Sequence, residues 1–272
     1  MSAGIPGAEW AAIDRSSDPA GYVRYLDTVS GLTAAQAYKR QIVAQLDIHE
    51  GDQVLDVGCG NGDDARIMAH VVGPTSRVVG IDQSIVMVDE ARKRAEGSSL
   101  REEYHVADAH HLPFPDNTFD CSRADRTFQH LEDPTRALAE MIRTSRSGAR
   151  IVIADPDWET MVVDAPNRVV TRKILNFRCD MVRNGWIGRQ LFALFRVSGL
   201  TNVTVIPTIW ASTDYDLVDQ LASLRESAAR LFEAGGITSD EAAASPDELA
   251  RAGQEGRFLA AIAVFVVAGR KL

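Results

Sequence analysis

The sequence predicts an α/β protein with a mostly parallel β-sheet and helices packed on both faces. Apolar runs typical of buried strands alternate with segments of helical periodicity along most of the 272 residues. Three glycines, Gly58, Gly60 and Gly62, come directly after the first of these strands. Apolar residues make up 45% of the chain and charged residues 25%, the proportions of an ordinary globular domain. A chain of this length and composition can bury a substantial core without disulfides.

The predicted elements begin after residues 1–20, which are rich in glycine, alanine, serine and proline and are expected to form a loose arm. A helix is predicted from Thr33 to Leu46, because apolar residues recur there at helical spacing and Thr33 is a suitable N-cap. The first strand contains VLDV. After the glycines, a helix pattern begins at Asp63.

Strand and helix then alternate, as expected for parallel strands joined by helical crossovers. Gly97 ends the helix after the second strand, while Pro134 and Gly148 bracket the helix after the fourth. The second to fifth strands are predicted in RVVGID, REEYHVAD, TFDCSRAD and ARIVIADPD. Helical patterns follow over about 165–182 and 187–198, then a strand in TNVTVIPT and a last strand over about 258–268.

The stretch over about 209–257, between the last two predicted strands, is too long for a structureless loop. It contains two helix patterns around Gly235 and Gly236. We expect a helical insertion that acts as a lid, within a domain over 51–272, and a second cap formed by the N-terminal arm and helix over 1–50. Apolar residues at helical spacing in the insertion are Leu217, Leu221, Leu224 and Leu231.

Charge and cysteine content limit the partners and the compartment. Lysine and arginine total 29 against 38 aspartate and glutamate residues, so the net charge is −9. This balance argues against nucleic acid or an anionic membrane as partner, since both need a basic face. The three cysteines are sparse and lack zinc-site spacing, which favours a reducing cytoplasm. No signal peptide or membrane span is predicted, and a monomer and a homodimer both agree with the sequence.

The glycine turn after the first strand indicates a ligand site, because ligands bind at the carboxyl ends of strands in open α/β sheets. Glycine permits close approach of the backbone, but such turns serve many cofactors. The dinucleotide fingerprint G-x-G-x-x-G needs glycine at position 63, where this chain has Asp63 followed by Asp64. Two carboxylates at a helix start would repel a pyrophosphate. The alternative is that they only cap the helix.

Three carboxylates lie at successive strands and suit a cofactor that contains adenosine. Asp56, inside the first strand, needs a partner such as an ammonium group, or else it only shapes the glycine turn. Asp82 ends the second strand, where it can accept hydrogen bonds from both ribose hydroxyls, with Gln83 beside it. Asp108, followed by Ala109, can accept from an adenine amino group while a neighbouring backbone N–H donates to the ring. The three acids together favour a cofactor site over separate structural roles.

Four motifs resemble the class I methyltransferases that depend on S-adenosylmethionine (SAM). The closest resemblance is to the small-molecule branch, which includes the ubiquinone/menaquinone methyltransferases, methyltransferases of type 11 and many natural-product enzymes. The motifs lie within about residues 38–157 and are highly specific as a set. They are VLDVGCGNGDDA, GIDQS, ADAHHLPFPDNTFD and FQHLEDPTRALAEMIRTSRSGARIVIADPD.

The resemblance implies a Rossmann-like sheet of seven strands with the last strand antiparallel, SAM as cofactor, and methyl transfer to a small molecule. SAM carries a sulfonium cation and no phosphate, so the acidic pair after the glycines does not disfavour it. The expected cofactor contacts are Asp56, Gly58, Cys59, Gly60, Asp82, Gln83, Asp108, Ala109 and Arg123.

An enzyme of this class supplies mainly proximity, orientation and exclusion of water. His130, after the fourth strand, is a candidate general base for a hydroxyl or carbon acceptor, although it could instead orient its loop. Asp155 and Asp157, at the end of the fifth strand, are expected to face the same crevice. No metal site is expected. Two or three of eight aromatic residues should line an apolar pocket for a planar or lipophilic acceptor, namely Tyr22, Tyr25, Trp158, Phe177, Trp186, Phe192, Phe195 and Trp210.

Other functions remain open at this point, because a fold does not determine function. One is a protein of the same fold that binds SAM but catalyses a reaction other than methylation, such as a cyclisation. Another is an NAD-dependent oxidoreductase, which Asp63 and Asp64 disfavour. The third is a binding or regulatory module.

Overall fold

A seven-stranded sheet forms the centre of the structure, a computed structural model that describes residues 9–272. The strands are β1 (Val54–Val57), β2 (Val78–Asp82), β3 (Glu102–Val106), β4 (Phe119–Asp125), β5 (Ser145–Val163), β6 (Thr201–Ser212) and β7 (Ala260–Arg270). The α-helices are α1 (Pro19–Gly31), α2 (Thr33–Leu46), α3 (Asp63–Val72), α4 (Ile85–Ala95), α5 (Pro134–Thr144), α6 (Arg168–Asp180), α7 (Ile187–Val197), α8 (Tyr215–Ala222), α9 (Leu224–Glu233) and α10 (Ser239–Gln254). Short 3-10 helices cover Glu9–Arg15 and Phe128–His130.

The strand order in the sheet is β3-β2-β1-β4-β5-β7-β6. Neighbouring strands among β1 to β5 are parallel, whereas β7 is antiparallel to both β5 and β6. The strand order reverses at β1, and this reversal opens a crevice beside the carboxyl ends of β1 and β4. The predicted fold, including the antiparallel last strand, is confirmed.

Successive residues of the central strand belong to the two different faces of the sheet. Val54 packs in one core with Met68 of α3, and Leu55 packs in the other core with Leu138 of α5 and Phe195 of α7. All four residues of β1 are buried, as expected for a parallel strand covered on both sides. The two cores hold the strand ends, and therefore the crevice, in fixed positions.

The N-terminal segment divides into an arm and a core helix. Tyr38 and Ile42 of α2 are buried in the core beneath the sheet, so α2 belongs to the main body. The 3-10 helix Glu9–Arg15 is held against the start of α4 by Asp14, whose carboxylate accepts from the backbone N–H of Ile85 at 3.0 Å. We therefore propose that the cap consists of residues 9–31 rather than all of 1–50. Residues 1–8 of the predicted arm lie outside the described residues.

The insertion before the last strand differs from the prediction in its start and its helix count. β6 extends to Ser212, which pairs with Ala260 at the start of β7, so the insertion covers residues 213–259. It contains α8, α9 and α10, whereas two helices were predicted. The break between α8 and α9 falls at Ser223, which has a left-handed backbone (φ 54°) without a glycine to signal it.

α6 packs with the insertion, although the sequence assigned it to the alternating core. Leu175 of α6 shares a cluster with Tyr215, Leu249 and Phe258. A second cluster joins Ile174 to α9 and the α9–α10 connection. The helical layer above the crevice is therefore built from four helices, α6 and α8 to α10. Within residues 9–272, no helix combines the length and the apolar character needed to cross a membrane.

Candidate active site

A cavity of about 540 Å³ lies at the carboxyl ends of the parallel strands. This volume falls in the range of small-molecule sites, roughly 300–1,000 Å³. Its wall combines residues of the strand ends with residues of α1, α6 and α8, so one space joins the sheet edge to the helical layer. The wall includes seven residues predicted from the sequence, which are Gly58, Gly60, Asp82, Gln83, Asp108, Ala109 and His130.

Glycine is required at positions 58 and 60 both by the backbone conformation and by the neighbouring side chains. Gly58 and Gly60 have positive φ angles of 74° and 52°. A Cβ atom on Gly58 would overlap the hydroxyl of Thr127, and one on Gly60 would lie 2.8 Å from a methyl group of Leu26. The turn therefore brings bare backbone to the cavity wall, where a ligand can approach it closely.

Asp82 connects the glycine turn to the start of α4. Its Oδ2 accepts from the backbone N–H of Gly60 at 3.0 Å, and its Oδ1 accepts from that of Ser84 at 2.9 Å. Burial raises the pKa of Asp82 above its ordinary value, although these hydrogen bonds counteract the rise. Each carboxylate oxygen keeps a second lone pair, so Asp82 can still accept hydrogen bonds from a pair of hydroxyl groups.

Asp108 is held by the two histidines that follow it. Its carboxylate contacts Nδ1 of His110 at 2.6 Å and Nδ1 of His111 at 3.4 Å, and it accepts from the backbone N–H of His110. Partial burial would raise the pKa of Asp108, but these hydrogen bonds lower it overall. The carboxylate is therefore ionised at neutral pH at the mouth of the third strand.

Three other predicted contact residues, Asp56, Cys59 and Arg123, are not part of the cavity wall in the described structure. Arg123 lies two residues before the end of β4, and its guanidinium contacts Asp64 at 3.0 Å and Asp125 at 3.1 Å. Its Nε lies 3.7 Å from Asp56. Asp56, Asp64, Arg123 and Asp125 form a buried network behind the wall, and Asp125 also lines the cavity, whereas Cys59 lies within the glycine turn.

Burial and ion pairing act in opposite directions on the pKa values of the buried network. Desolvation raises the pKa of Asp56 to about 6 despite the nearby Arg123. Desolvation would also raise the pKa of Asp64, but Arg123 and Lys39 lower it overall. Cys59, within the glycine turn, also has its pKa raised by burial, so its thiol is protonated at neutral pH.

The acidic pair at the start of α3 is ion-paired in the structure. Asp63 contacts Arg66 at 3.0 Å, and Asp64 contacts Lys39 at 2.9 Å in addition to Arg123. Neither acid caps the helix, since Gly62 occupies the N-cap position. Because both charges are paired, they repel a pyrophosphate less strongly than the sequence suggested.

The sequence did not identify three cavity residues at the end of β4 and directly after it. Asp125, Arg126 and Thr127 line the cavity, and the Tyr38 hydroxyl donates to the Asp125 carboxylate at 2.7 Å. Arg126 has a left-handed backbone (φ 54°). The sequence does place the end of this strand at Asp125. These residues could have been found from it, because residues at the carboxyl end of a parallel strand face the crevice.

His130 ends the 3-10 helix Phe128–His130, and its ring lines the cavity. The ring stacks on Trp10 at 5.6 Å between centroids. The buried Asp155 carboxylate holds this helix by accepting from the backbone N–H of Phe128 at 3.0 Å. The prediction that Asp155 and Asp157 face the crevice is wrong, because both are fully buried outside its wall and Asp157 is ion-paired with Arg189.

The part of the cavity under the helical layer is lined mainly by apolar residues. Three of the eight aromatic candidates line the cavity, namely Tyr25, Trp158 and Trp210. Trp10, which was not among those candidates, lines it near Gln83 and His130. From the insertion, α8 contributes Leu217, Val218 and Leu221, whereas Leu224 and Leu231 are buried in the helical layer itself. Within the described residues, no group of three or more potential ligands could hold a metal ion.

Comparison with known proteins identifies relatives over most of the chain. The family model described as "Methyltransferase domain" matches residues 48–192, more than half of the chain. A Streptomyces fradiae protein named "Uncharacterized 37.1 kDa protein in transposon TN4556" is 39% identical over 90% of this chain and 70% of its own length. A ubiquinone/menaquinone biosynthesis C-methyltransferase from Francisella tularensis is 34% identical over 43% of this chain and 48% of its own length.

The solved structures show the same fold at low sequence identity. The [4+2]-cyclase SpnF superposes with a TM-score of 0.56 at 21% identity, covering 87% of this chain and 80% of that one. The named methyltransferases among the relatives are matched over about half of their length. The family model thus covers β1 to β5 and the helices α3 to α6, whereas α8, α9 and α10 lie outside its match.

Proposed function

Because the chain belongs to the methyltransferase-domain family of class I SAM-dependent enzymes, we propose that it methylates a planar or lipophilic small molecule, such as a quinone-like or natural-product intermediate. The family assignment confirms the predicted enzyme class and cofactor. The observation that carries the acceptor class is the single cavity that joins the strand ends to an apolar chamber under α8.

The residues at the strand ends fit the chemical groups of SAM. We propose that the Gly58–Gly60 turn lies against the methionine part, that Asp82 accepts from the ribose hydroxyls with Gln83 beside it, and that Asp108 and Ala109 contact the adenine. The positive-φ glycine turn and the unused lone pairs of Asp82 support this placement. When bound, SAM supplies a methyl group that is already activated by its sulfonium.

The buried network behind the wall suggests a supporting role for Asp56, Cys59 and Arg123. Arg123 joins β1, α3 and β4 through contacts with three carboxylates, and one of these, Asp125, also lines the cavity. We propose that these residues fix the glycine turn rather than contact SAM directly.

The protein groups around the acceptor chamber would position the acceptor and exclude water. We propose His130 as the proton acceptor if the methylated atom is a hydroxyl oxygen or an acidic carbon. Its ring lines the cavity, and Trp10 and the Asp155-held helix fix its position.

We propose a small-molecule partner and a cytoplasmic location, which the composition supports. A small-molecule acceptor, without nucleic acid, suits the net charge of −9. The three cysteines are free and buried, which fits a reducing cytoplasm. We propose that the domain from α2 to β7 carries the chemistry, with residues 9–31 and the insertion as covers.

A screen with SAM labelled in the methyl group tests this function. The purified protein is incubated with quinone, phenol and polyketide-like acceptors, and label transfer is measured for each. Transfer to at least one class is expected. SAM binding without transfer to any acceptor would favour a non-methylating reaction, an alternative that also fits the fold because a [4+2]-cyclase shares it.

A further inference from the structure

A buried arginine faces the acceptor end of the cavity. Arg178, in α6, is 3% exposed and belongs to the cavity wall. The wall also contains the apolar residues Trp158, Met161 and Leu221, and a second arginine, Arg183, that is exposed. A guanidinium in this setting is costly unless its charge and its N–H groups are matched.

Groups of the protein satisfy only part of the hydrogen-bonding capacity and the charge of this guanidinium. Nε donates to the carbonyl of Ala222 at 2.5 Å, and the guanidinium carbon lies 4.2 Å from the centre of the Trp158 ring. Nη1 is buried and has no hydrogen-bond partner. Burial lowers the pKa of Arg178, but an arginine remains protonated in proteins, so a positive charge faces the chamber.

Arg178 also lacks a paired carboxylate. In the described part of the chain no carboxylate is ion-paired with it, and the nearby Glu226 pairs through Oε1 with Arg230 at 2.5 Å while its Oε2 is buried without a hydrogen-bond partner. The equally buried Arg123, by contrast, has three carboxylates within 4 Å. The charge of Arg178 is thus left for a group that enters the cavity.

We propose that Arg178 is a specificity-determining residue that binds a carboxylate carried by a planar apolar acceptor. A carboxylate matches the flat fork of a guanidinium in both charge and geometry. Trp158 and the leucines of α8 would contact the apolar part of the same molecule. This inference rests on the proposed function and names the substrate class for its site.

A structural role for Arg178 makes different predictions. The Ala222 hydrogen bond and the Trp158 contact join α6 to α8 and β5, so a purely structural arginine would affect stability. A shift of the guanidinium onto Glu226 would neutralise it. In both cases the cavity would not distinguish a carboxylate from a neutral group of the same shape.

The test measures this discrimination on the full chain saturated with S-adenosylhomocysteine. Dissociation constants for 2-naphthoate and 2-naphthamide are determined by calorimetry for the wild type, Arg178→Met and Arg172→Met. Arg172 is exposed on the same helix, so its variant has the same charge change away from the cavity. The wild type and Arg172→Met should prefer 2-naphthoate at least tenfold. Arg178→Met should bind the two probes within twofold of each other and keep its affinity for 2-naphthamide within threefold.

Two results would overturn the inference: equal binding of both probes by the wild type, or a preference that survives in Arg178→Met. If Arg178→Met does not fold, Arg178→Lys replaces it, because lysine keeps the charge without the planar fork and should lose a measurable part of the preference. Failure of S-adenosylhomocysteine to bind would count against the proposed function, whereas loss of probe discrimination alone counts only against this inference.

Discussion

At the scale of single residues, Asp82 is the side chain whose removal should weaken SAM binding most clearly. It lines the cavity and holds the turn at Gly60. Asp82→Ala should weaken SAM binding by roughly 1.5–3 kcal/mol, the cost of losing hydrogen bonds to a charged group. This equals roughly a 10- to 150-fold rise in the dissociation constant, measurable by titration calorimetry.

The control is Asp89→Ala, which removes an acid that is 63% exposed on the outer side of α4. It should bind SAM like the wild type. If Asp82→Ala is folded and binds SAM with unchanged affinity, Asp82 does not hold the ribose.

Asp56 should make the folded state sensitive to pH in a definite direction. Its pKa is about 6 in the folded protein, against about 3.9 in an unfolded chain. Between these values the folded state binds more protons than the unfolded chain. The stabilisation that protonated Asp56 contributes is therefore full below about pH 4 and is lost as the pH rises through 6. Between pH 5 and 8 the unfolding free energy of the wild type should therefore fall by roughly 1–2 kcal/mol more than that of Asp56→Asn.

Denaturant unfolding of the two proteins at several pH values measures this difference. Groups that titrate in both proteins, including the other carboxylates, cancel in the comparison. Parallel stability curves for wild type and Asp56→Asn would show that Asp56 is already ionised at pH 5.

The sequence identified the strand-end acids because position along a parallel strand decides which end faces the crevice. It could not show that the Arg123 side chain turns to Asp56 of β1 and Asp64 of α3 as well as to Asp125 of its own strand, since the first two partners lie in other elements. The same limit applies to Asp155, whose partners are backbone N–H groups of a neighbouring loop. Arg178 belongs to none of the sequence motifs, and it reaches the cavity through the packing of α6 against α8.

At the scale of elements, the insertion of residues 213–259 is expected to be needed for turnover but not for cofactor binding. Ser212 and Ala260 are paired neighbours, so an Asn-Gly turn can close the gap as a two-residue hairpin. This deletion should leave SAM affinity within about tenfold and abolish methyl transfer, because α8 walls only the acceptor end. Binding and label transfer are measured on the same preparation.

Point variants test the same expectation if the deletion exposes so much of α6 that the protein does not fold. Leu217→Asn with Leu221→Asn alters the α8 face of the cavity and should lower kcat/KM while SAM affinity is kept. Phe232→Asn, on an exposed part of α9, is the matched control. Full turnover by the deletion variant would make the insertion a structural cover for the sheet.

At the scale of the whole molecule, alternation of strands and helices was enough to predict the sheet, because each crossover must place a helix on one of its faces. The helical layer was harder to predict, since its helices pack on one another through clusters that join α6 to α9 and α10. Periodicity located these helices but not their neighbours. The acceptor chamber lies between the two parts, so its shape follows from the tertiary packing.

The central claim is that the sheet edge holds SAM, and titration calorimetry with SAM, S-adenosylhomocysteine and NAD on the full chain tests it most directly. The glycine turn, Asp82 and Asp108 suit an adenosine without phosphates, so SAM and S-adenosylhomocysteine should both bind while NAD gives no signal at the same concentration. Tight binding of NAD with no response to SAM would contradict the account.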